Sequence, residues 1–164
     1  MLGSHAEQNN VDNTEVDVVD PRIQLMYGVP FPDGEVARPI DPEQAKEEIE
    51  ALKREGADIL LIESVTDVRN AEIASELCRA IAPELPIIIS ATLSKIGGLL
   101  ASGRSIERYV EDVAKFEPLA IGFNCSHGVK NIIDNIELLT RYTTLPTYVA
   151  PSAGIPDAKG RYPE

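Results

Sequence analysis

The sequence predicts an α/β fold of about five βα units with parallel strands, as in part of a (β/α)8 TIM barrel. Short apolar runs alternate with amphipathic stretches over residues 23–150, which is the pattern of repeated βα units. Several runs are continuous rather than alternating, as expected of parallel strands covered on both faces. The 164 residues are fewer than the ~250 of a complete barrel, so the prediction is a partial barrel.

The predicted strands cover residues 23–29, 57–63, 85–93, 119–125 and 146–150. Strict alternation of strands and helices is typical both of an open doubly wound sheet and of an arc of a barrel. No G-x-G-x-x-G or G-x-x-x-x-G-K-[ST] pattern follows any predicted strand, so the usual nucleotide signatures of the open sheet are missing. Their absence favours the arc of a barrel.

Four helices are predicted between the strands. The first begins at Asp41, a capping residue followed by Pro42 and by Gln44 in the capping-box position, and it ends at Gly56. The others are predicted near residues 68–82, 105–116 and 129–139. Their apolar stripes, in order, are Ala45, Ile49 and Leu52; Ala74, Leu77, Cys78 and Ile81; Ile106, Tyr109, Val110 and Val113; and Val129, Ile132, Ile133, Ile136 and Leu139.

Composition separates a polar tail from one domain and excludes several classes of partner. Residues 1–14 are polar and turn-rich, which predicts a disordered tail, and residues 15–164 form the partial barrel domain. The formal net charge of −12 disfavours nucleic acid and anionic membrane surfaces, and no apolar run approaches the ~20 residues of a membrane span. Two cysteines without a C-x-x-C pair indicate a reducing, cytoplasmic location.

Polar residues close the predicted strands, where parallel folds carry their reactive groups. Glu63 follows a four-residue apolar run; either it meets a cationic ligand group or it is a rim glutamate paired to Arg69 or capping the next helix. Asn124 and Cys125 close a later run, and the Cys125 thiol is either a metal ligand or nucleophile or an ordinary loop cysteine. Cys78 lies on an apolar helix stripe and is assigned to the core.

Five ordered blocks resemble the homocysteine-binding domain of homocysteine S-methyltransferases, including the zinc-dependent domain of cobalamin-dependent methionine synthase. The blocks are GADILLIESVTDVRNA (56–71), PIIISATL (86–93), SGRSI (102–106), IGFNCS (121–126) and PSAGIP (151–156). The similarity covers roughly residues 23–164. It implies a (β/α)8 barrel in which zinc activates the homocysteine sulfur as a thiolate for attack on a methyl donor.

The resemblance also assigns roles to three residues. Cys125 would be the first zinc-binding cysteine, Glu63 the carboxylate that meets the substrate ammonium group, and Asn124 a substrate-binding neighbour of Cys125. The homocysteine partner and the zinc cofactor come from the same resemblance. The methyl donor stays open between methylcobalamin, a folate-linked donor, betaine and a sulfonium compound.

The sequence departs from the family pattern in one respect. The family takes two further zinc ligands from an adjacent cysteine pair after the last strand, and no such pair occurs here, so the isolated chain is expected to bind zinc weakly and to be inactive alone. The alternative is a non-catalytic α/β module or a split-barrel subunit; a pterin-binding barrel enzyme is a weaker one. Unpaired strand edges predict self-association or a partner chain that supplies the missing strands.

Overall fold

Helices and parallel strands alternate along the chain in the computed structural model, which describes residues 21–22, 38–94, 100–125, 128–153 and 157–162. The predicted tail and the predicted strand at residues 23–29 lie outside the described residues. The elements are α1 (Pro42–Arg54), β1 (Leu60–Val65), α2 (Val68–Ile81), β2 (Ile87–Ala91), α3 (Ile106–Ala114), β3 (Ala120–Asn124), α4 (Val129–Tyr142) and β4 (Thr147–Ala150).

The four strands form one parallel sheet in the order β1-β2-β3-β4. Each strand pairs with the next one along the chain, and right-handed connections then place every connecting helix on the same face of the sheet. A doubly wound sheet needs a point at which the strand order reverses, and the described strands have none. The arrangement is that of a barrel arc, as predicted.

The hydrophobic core lies between the sheet and its helices. Several strand residues on the helix side are fully buried, among them Ile87, Ile89 and Phe123. Tyr109 of α3 is also fully buried; its hydroxyl donates to the Ile89 carbonyl at 2.9 Å, and its ring centroid lies 6.1 Å from that of Phe123. The apolar stripe predicted for α3 is confirmed, because Ile106, Tyr109, Val110 and Val113 are all buried.

The outer helices differ from the predicted stripes in detail. In α1, Asp41 accepts from the backbone N–H groups of Glu43 and Gln44, but the Gln44 side chain donates to Glu48 at 2.8 Å instead of closing a capping box. Leu52, at the edge of the α1 stripe, is half exposed. Since residues on a helix advance by about 100° each, only the centre of a stripe reaches the core.

The angular position of each residue around the helix also corrects the apolar stripe predicted for α4. Ile132 and Leu139 are buried in the core and Ile136 packs against them, whereas Val129 and Ile133 are exposed. Positions 132, 136 and 139 share one face at helical spacing, and Val129 and Ile133 lie beside that face.

Among the described residues, no helix combines the length and apolar content needed to cross a membrane.

Candidate functional site

The carboxyl end of β1 is shaped by a local irregularity. The sequence predicts that Glu63 closes the strand, but β1 continues to Val65, and its register with β2 shifts between Ile62 and Val65. Ser64 lies within the shift with a φ of 59°, a left-handed conformation that non-glycine residues seldom adopt. One extra residue in β1 therefore lies opposite β2, as in a β-bulge.

A second left-handed corner lies at the end of β3. Asn124 is the last residue of the strand and is fully buried. Cys125 follows with a φ of 67° and is exposed. Its backbone N–H donates to the Ala150 carbonyl of β4 at 3.1 Å, so the corner is held to the neighbouring strand.

The Asn124 amide connects the two corners across the strand between them. Its Oδ1 accepts from the Ser64 backbone N–H at 3.1 Å and from the buried Ser90 hydroxyl of β2 at 2.9 Å. Its Nδ2 donates to the Ser64 hydroxyl at 2.9 Å and to Cys125 Sγ at 3.2 Å. Ser64 Oγ lies 3.8 Å from the same sulfur. One buried amide thus fixes the ends of β1, β2 and β3 relative to each other.

Left-handed backbone at a non-glycine residue costs of the order of 1–3 kcal/mol and persists only where the surroundings hold it. Here the surroundings are the Asn124 hydrogen bonds to Ser64 and Cys125. Backbone strain of this kind, here at two neighbouring corners, is typical of functional sites. The arrangement exposes one thiol next to two polar side chains at the carboxyl edge of the sheet.

Glu63 lies at the same edge and contacts the far strand. Tyr148 of β4 donates its hydroxyl to Glu63 Oε1 at 3.4 Å. Desolvation, followed by the negative charge of Glu63, raises the pKa of the Tyr148 phenol. The alternative in which Glu63 pairs with Arg69 is wrong: the Arg69 guanidinium pairs with Asp67, the capping residue of α2.

The second cysteine is not part of this edge. Cys78 is 2% exposed in the core, as predicted, and burial raises the pKa of its thiol to about 11. His127 lies outside the described residues. Within the described part of the chain, no group of three or more histidine, cysteine, aspartate or glutamate residues is placed to hold a metal ion.

Two contributors to this edge were missed by reasoning from the sequence. Ser64 carries no motif of its own, and its contact with Cys125 depends on the bulge in β1. Tyr148 reads as an ordinary apolar strand residue. Only the register of four strands, which pairs Gly122 with Tyr148, places its side chain on the face that carries Glu63.

Comparison with known proteins identifies a matching family and similar crystal structures. A family model described as homocysteine S-methyltransferase matches residues 43–164. The chain is also similar to crystal structures of the homocysteine methyltransferase MmuM from Escherichia coli: 27% identity and a TM-score of 0.60 to the apo form over 68% of this chain, and 27% and 0.63 to the metallated form over 71%. These matches span 43% and 41% of the MmuM chain, so this chain corresponds to about two fifths of that enzyme.

Proposed function

Because the chain belongs to the homocysteine S-methyltransferase family, we propose that it binds homocysteine and forms part of the site where a methyl group is transferred to the homocysteine sulfur. The observation that carries the proposal is the Asn124 amide, which joins the corner after Glu63 to the corner at Cys125. A carboxylate and a thiol thereby share one edge of the sheet. That edge is where barrel enzymes bind substrates.

Three residues have roles in the proposed substrate site. The exposed Glu63 carboxylate accepts hydrogen bonds from the ammonium group of homocysteine, a charge-assisted contact. The Cys125 sulfur marks the end of the site at which the substrate sulfur is placed. Asn124 borders the substrate from beneath, and its hydrogen bonds keep Cys125 in its left-handed conformation.

The reaction forms a bond between the homocysteine sulfur and the transferred methyl carbon and breaks the bond between that carbon and the donor. The sulfur supplies the electron pair, the donor leaves with the pair from the broken bond, and the thiol proton is released to solvent. The product is methionine, which places the protein in methionine biosynthesis. Zinc, when bound, would favour the thiolate form of the substrate.

We propose Cys125 as one zinc ligand. A catalytic zinc site takes three protein ligands and keeps an open position. Cys125 would supply one of the three. With one accessible thiol, the isolated chain should bind zinc weakly, which titration with a competing zinc indicator measures. Tight binding that is lost in Cys125→Ser but kept in Cys78→Ser would contradict this and would show that other groups complete the site.

Association follows from the edges of the sheet. Among the described residues, β4 pairs on one side only, and Val149 on this strand is 39% exposed. Unpaired edges with apolar side chains favour strand addition. We propose self-association or a partner chain that adds strands; a compact monomer in light scattering, with no dye-binding apolar surface, would contradict it. A non-catalytic module would associate in the same way but would not bind homocysteine.

The decisive experiment is homocysteine binding by isothermal titration calorimetry. Glu63→Gln removes the negative charge and should weaken binding at least about tenfold, equivalent to about 1.4 kcal/mol. Glu137→Gln changes an exposed glutamate on α4 and should bind as the parent chain does. Equal affinities for the parent chain and Glu63→Gln would contradict the assigned role, and no binding by the parent chain would contradict the function.

The methyl donor and the cellular location are tested separately. Four parallel assays, each with one of methylcobalamin, a methylated folate, betaine and a sulfonium donor, should show methionine formation with one donor class once the associated form is assembled. A cytoplasmic location is proposed because both cysteines are free and Cys125 is exposed, as expected in a reducing compartment. Fractionation of cells that express the chain tests it.

A further inference from the structure

We propose that Tyr148 is a positioning residue of the substrate site: its hydroxyl holds one oxygen of the Glu63 carboxylate, so that the other oxygen receives the ammonium group of the substrate. The inference rests on the proposed function, because it needs Glu63 to be the ammonium-binding group. It adds a residue from β4 to a site whose other members come from β1 and β3.

The strand register places these side chains in one row across the sheet. Ile62 pairs with Ile89, so Glu63 and the bulged Ser64 lie opposite Ser90. Ser90 pairs with Gly122, and Gly122 pairs with Tyr148. The row has a long side chain at each end and two small residues between them.

The small residues are what allow the ends to meet. Neighbouring strands lie about 4.8 Å apart, so β1 and β4 are separated by about 14 Å along a flat sheet. A hydrogen bond of 3.4 Å between Tyr148 and Glu63 requires both side chains to extend over the middle of the row and the sheet to curve toward them. Gly122 lacks a Cβ and lets the Tyr148 backbone approach β3 closely, and the Ser90 hydroxyl is turned to Asn124.

The surroundings of Tyr148 and Glu63 are consistent with this positioning role. Tyr148 is half-buried and its phenol has a raised pKa, so the hydroxyl keeps its proton at neutral pH and remains a donor. Within the described residues, Glu63 has no ion pair and no other hydrogen bond to its carboxylate. One oxygen is therefore oriented by the protein while the negative charge stays available to a cationic ligand.

This arrangement predicts discrimination by the amino group. A ligand with an ammonium group uses the oriented carboxylate and gains from Tyr148, whereas a ligand without one does not. 4-Sulfanylbutanoate keeps the thiol and the carboxylate of homocysteine and lacks only the amine. Comparing the two ligands isolates the contribution that passes through Glu63.

The test measures binding of both ligands by isothermal titration calorimetry to the parent chain, to Tyr148→Phe and to Tyr142→Phe. The Tyr148→Phe variant removes one hydroxyl and should weaken homocysteine binding about three- to tenfold, as expected for loss of a hydrogen bond to a partly solvated carboxylate, with 4-sulfanylbutanoate unaffected. Tyr142→Phe removes the hydroxyl of an exposed tyrosine at the end of α4 and should change neither affinity.

A double variant separates this inference from the function on which it rests. In the Glu63→Gln background, Tyr148→Phe should have no further effect on homocysteine, because the two act as a unit. If Glu63→Gln weakens binding but Tyr148→Phe alone does not, or if Tyr148→Phe weakens both ligands equally, Tyr148 is not a positioning residue and the proposed function stands. If the parent chain does not bind homocysteine, both are wrong.

Discussion

Replacing Asn124 by alanine should destabilise the protein more than replacing the partly buried Asn70. The amide is fully buried and connects groups from β1, β2 and β3. Its removal withdraws an acceptor from the Ser64 backbone N–H and from the Ser90 hydroxyl. It also withdraws the donor shared by Ser64 Oγ and Cys125 Sγ.

The magnitude depends on which of these groups can turn to water. Ser90 is fully buried, so its hydroxyl is left without its acceptor at a cost of about 1–3 kcal/mol. Ser64 and Cys125 are exposed, so water replaces most of what they lose. The vacated side-chain volume adds about 1 kcal/mol. The free energy of unfolding should therefore fall by about 2–4 kcal/mol.

Urea unfolding followed by circular dichroism measures the change, with Asn70→Ala as the matched control. Asn70 also makes two-sided amide contacts, accepting from the Ile40 N–H at 2.9 Å and donating to the Arg38 carbonyl at 2.8 Å, but it is only partly buried. Its truncation should cost about 1 kcal/mol, because water satisfies the groups that are left. Comparing the two variants shows whether the loss of stability depends on burial of the amide or only on its having hydrogen bonds.

Coupling to Ser90 gives the stricter test. If the buried hydroxyl carries much of the cost, Ser90→Ala and Asn124→Ala together should destabilise the protein by clearly less than the sum of the two single changes. The reasoning is refuted if Asn124→Ala costs less than 1 kcal/mol, or if the two changes add without coupling.

Three further predictions concern other parts of the fold. Gly122→Ala should cost at least about 3 kcal/mol or prevent folding, since a Cβ there would meet a β4 carbonyl oxygen at 1.6 Å and overpack the strands; an unchanged urea midpoint would contradict this. Burial opposes ionisation of Asp67, but hydrogen bonds from Arg69 outweigh it and lower its pKa, so the charge stabilises the fold at neutral pH and the benefit is lost as pH falls through the folded pKa. In urea titrations, Asp67→Asn should cost about 1 kcal/mol at pH 7, and this cost should shrink as the pH is lowered. Native protein should react with a thiol reagent at Cys125 alone, and at Cys78 only in denaturant, because burial protects that thiol and raises its pKa; rapid labelling of native Cys125→Ser would contradict the described core.

The repeated βα pattern can be predicted from the sequence because it depends on residues that are close together along the chain. Continuous apolar runs and capping residues such as Asp41 mark the elements, and the four strands and four helices described here lie where the runs and stripes predict them. Errors occur at the margins of elements. The end of β1 at Val65 rather than Glu63 depends on pairing with β2, which no local pattern reports.

The sequence alone predicted a carboxylate, an amide and a thiol, at Glu63, Asn124 and Cys125, at or next to the carboxyl ends of parallel strands, because apolar runs and the polar residues that follow them are adjacent along the chain. It could not determine which of these groups meet. The bulge at Ser64, the buried bonds of Asn124 and the reach of Tyr148 to Glu63 join residues up to 85 positions apart. Such contacts are decided by strand order, register and sheet curvature, which arise only when the whole sheet packs against its helices.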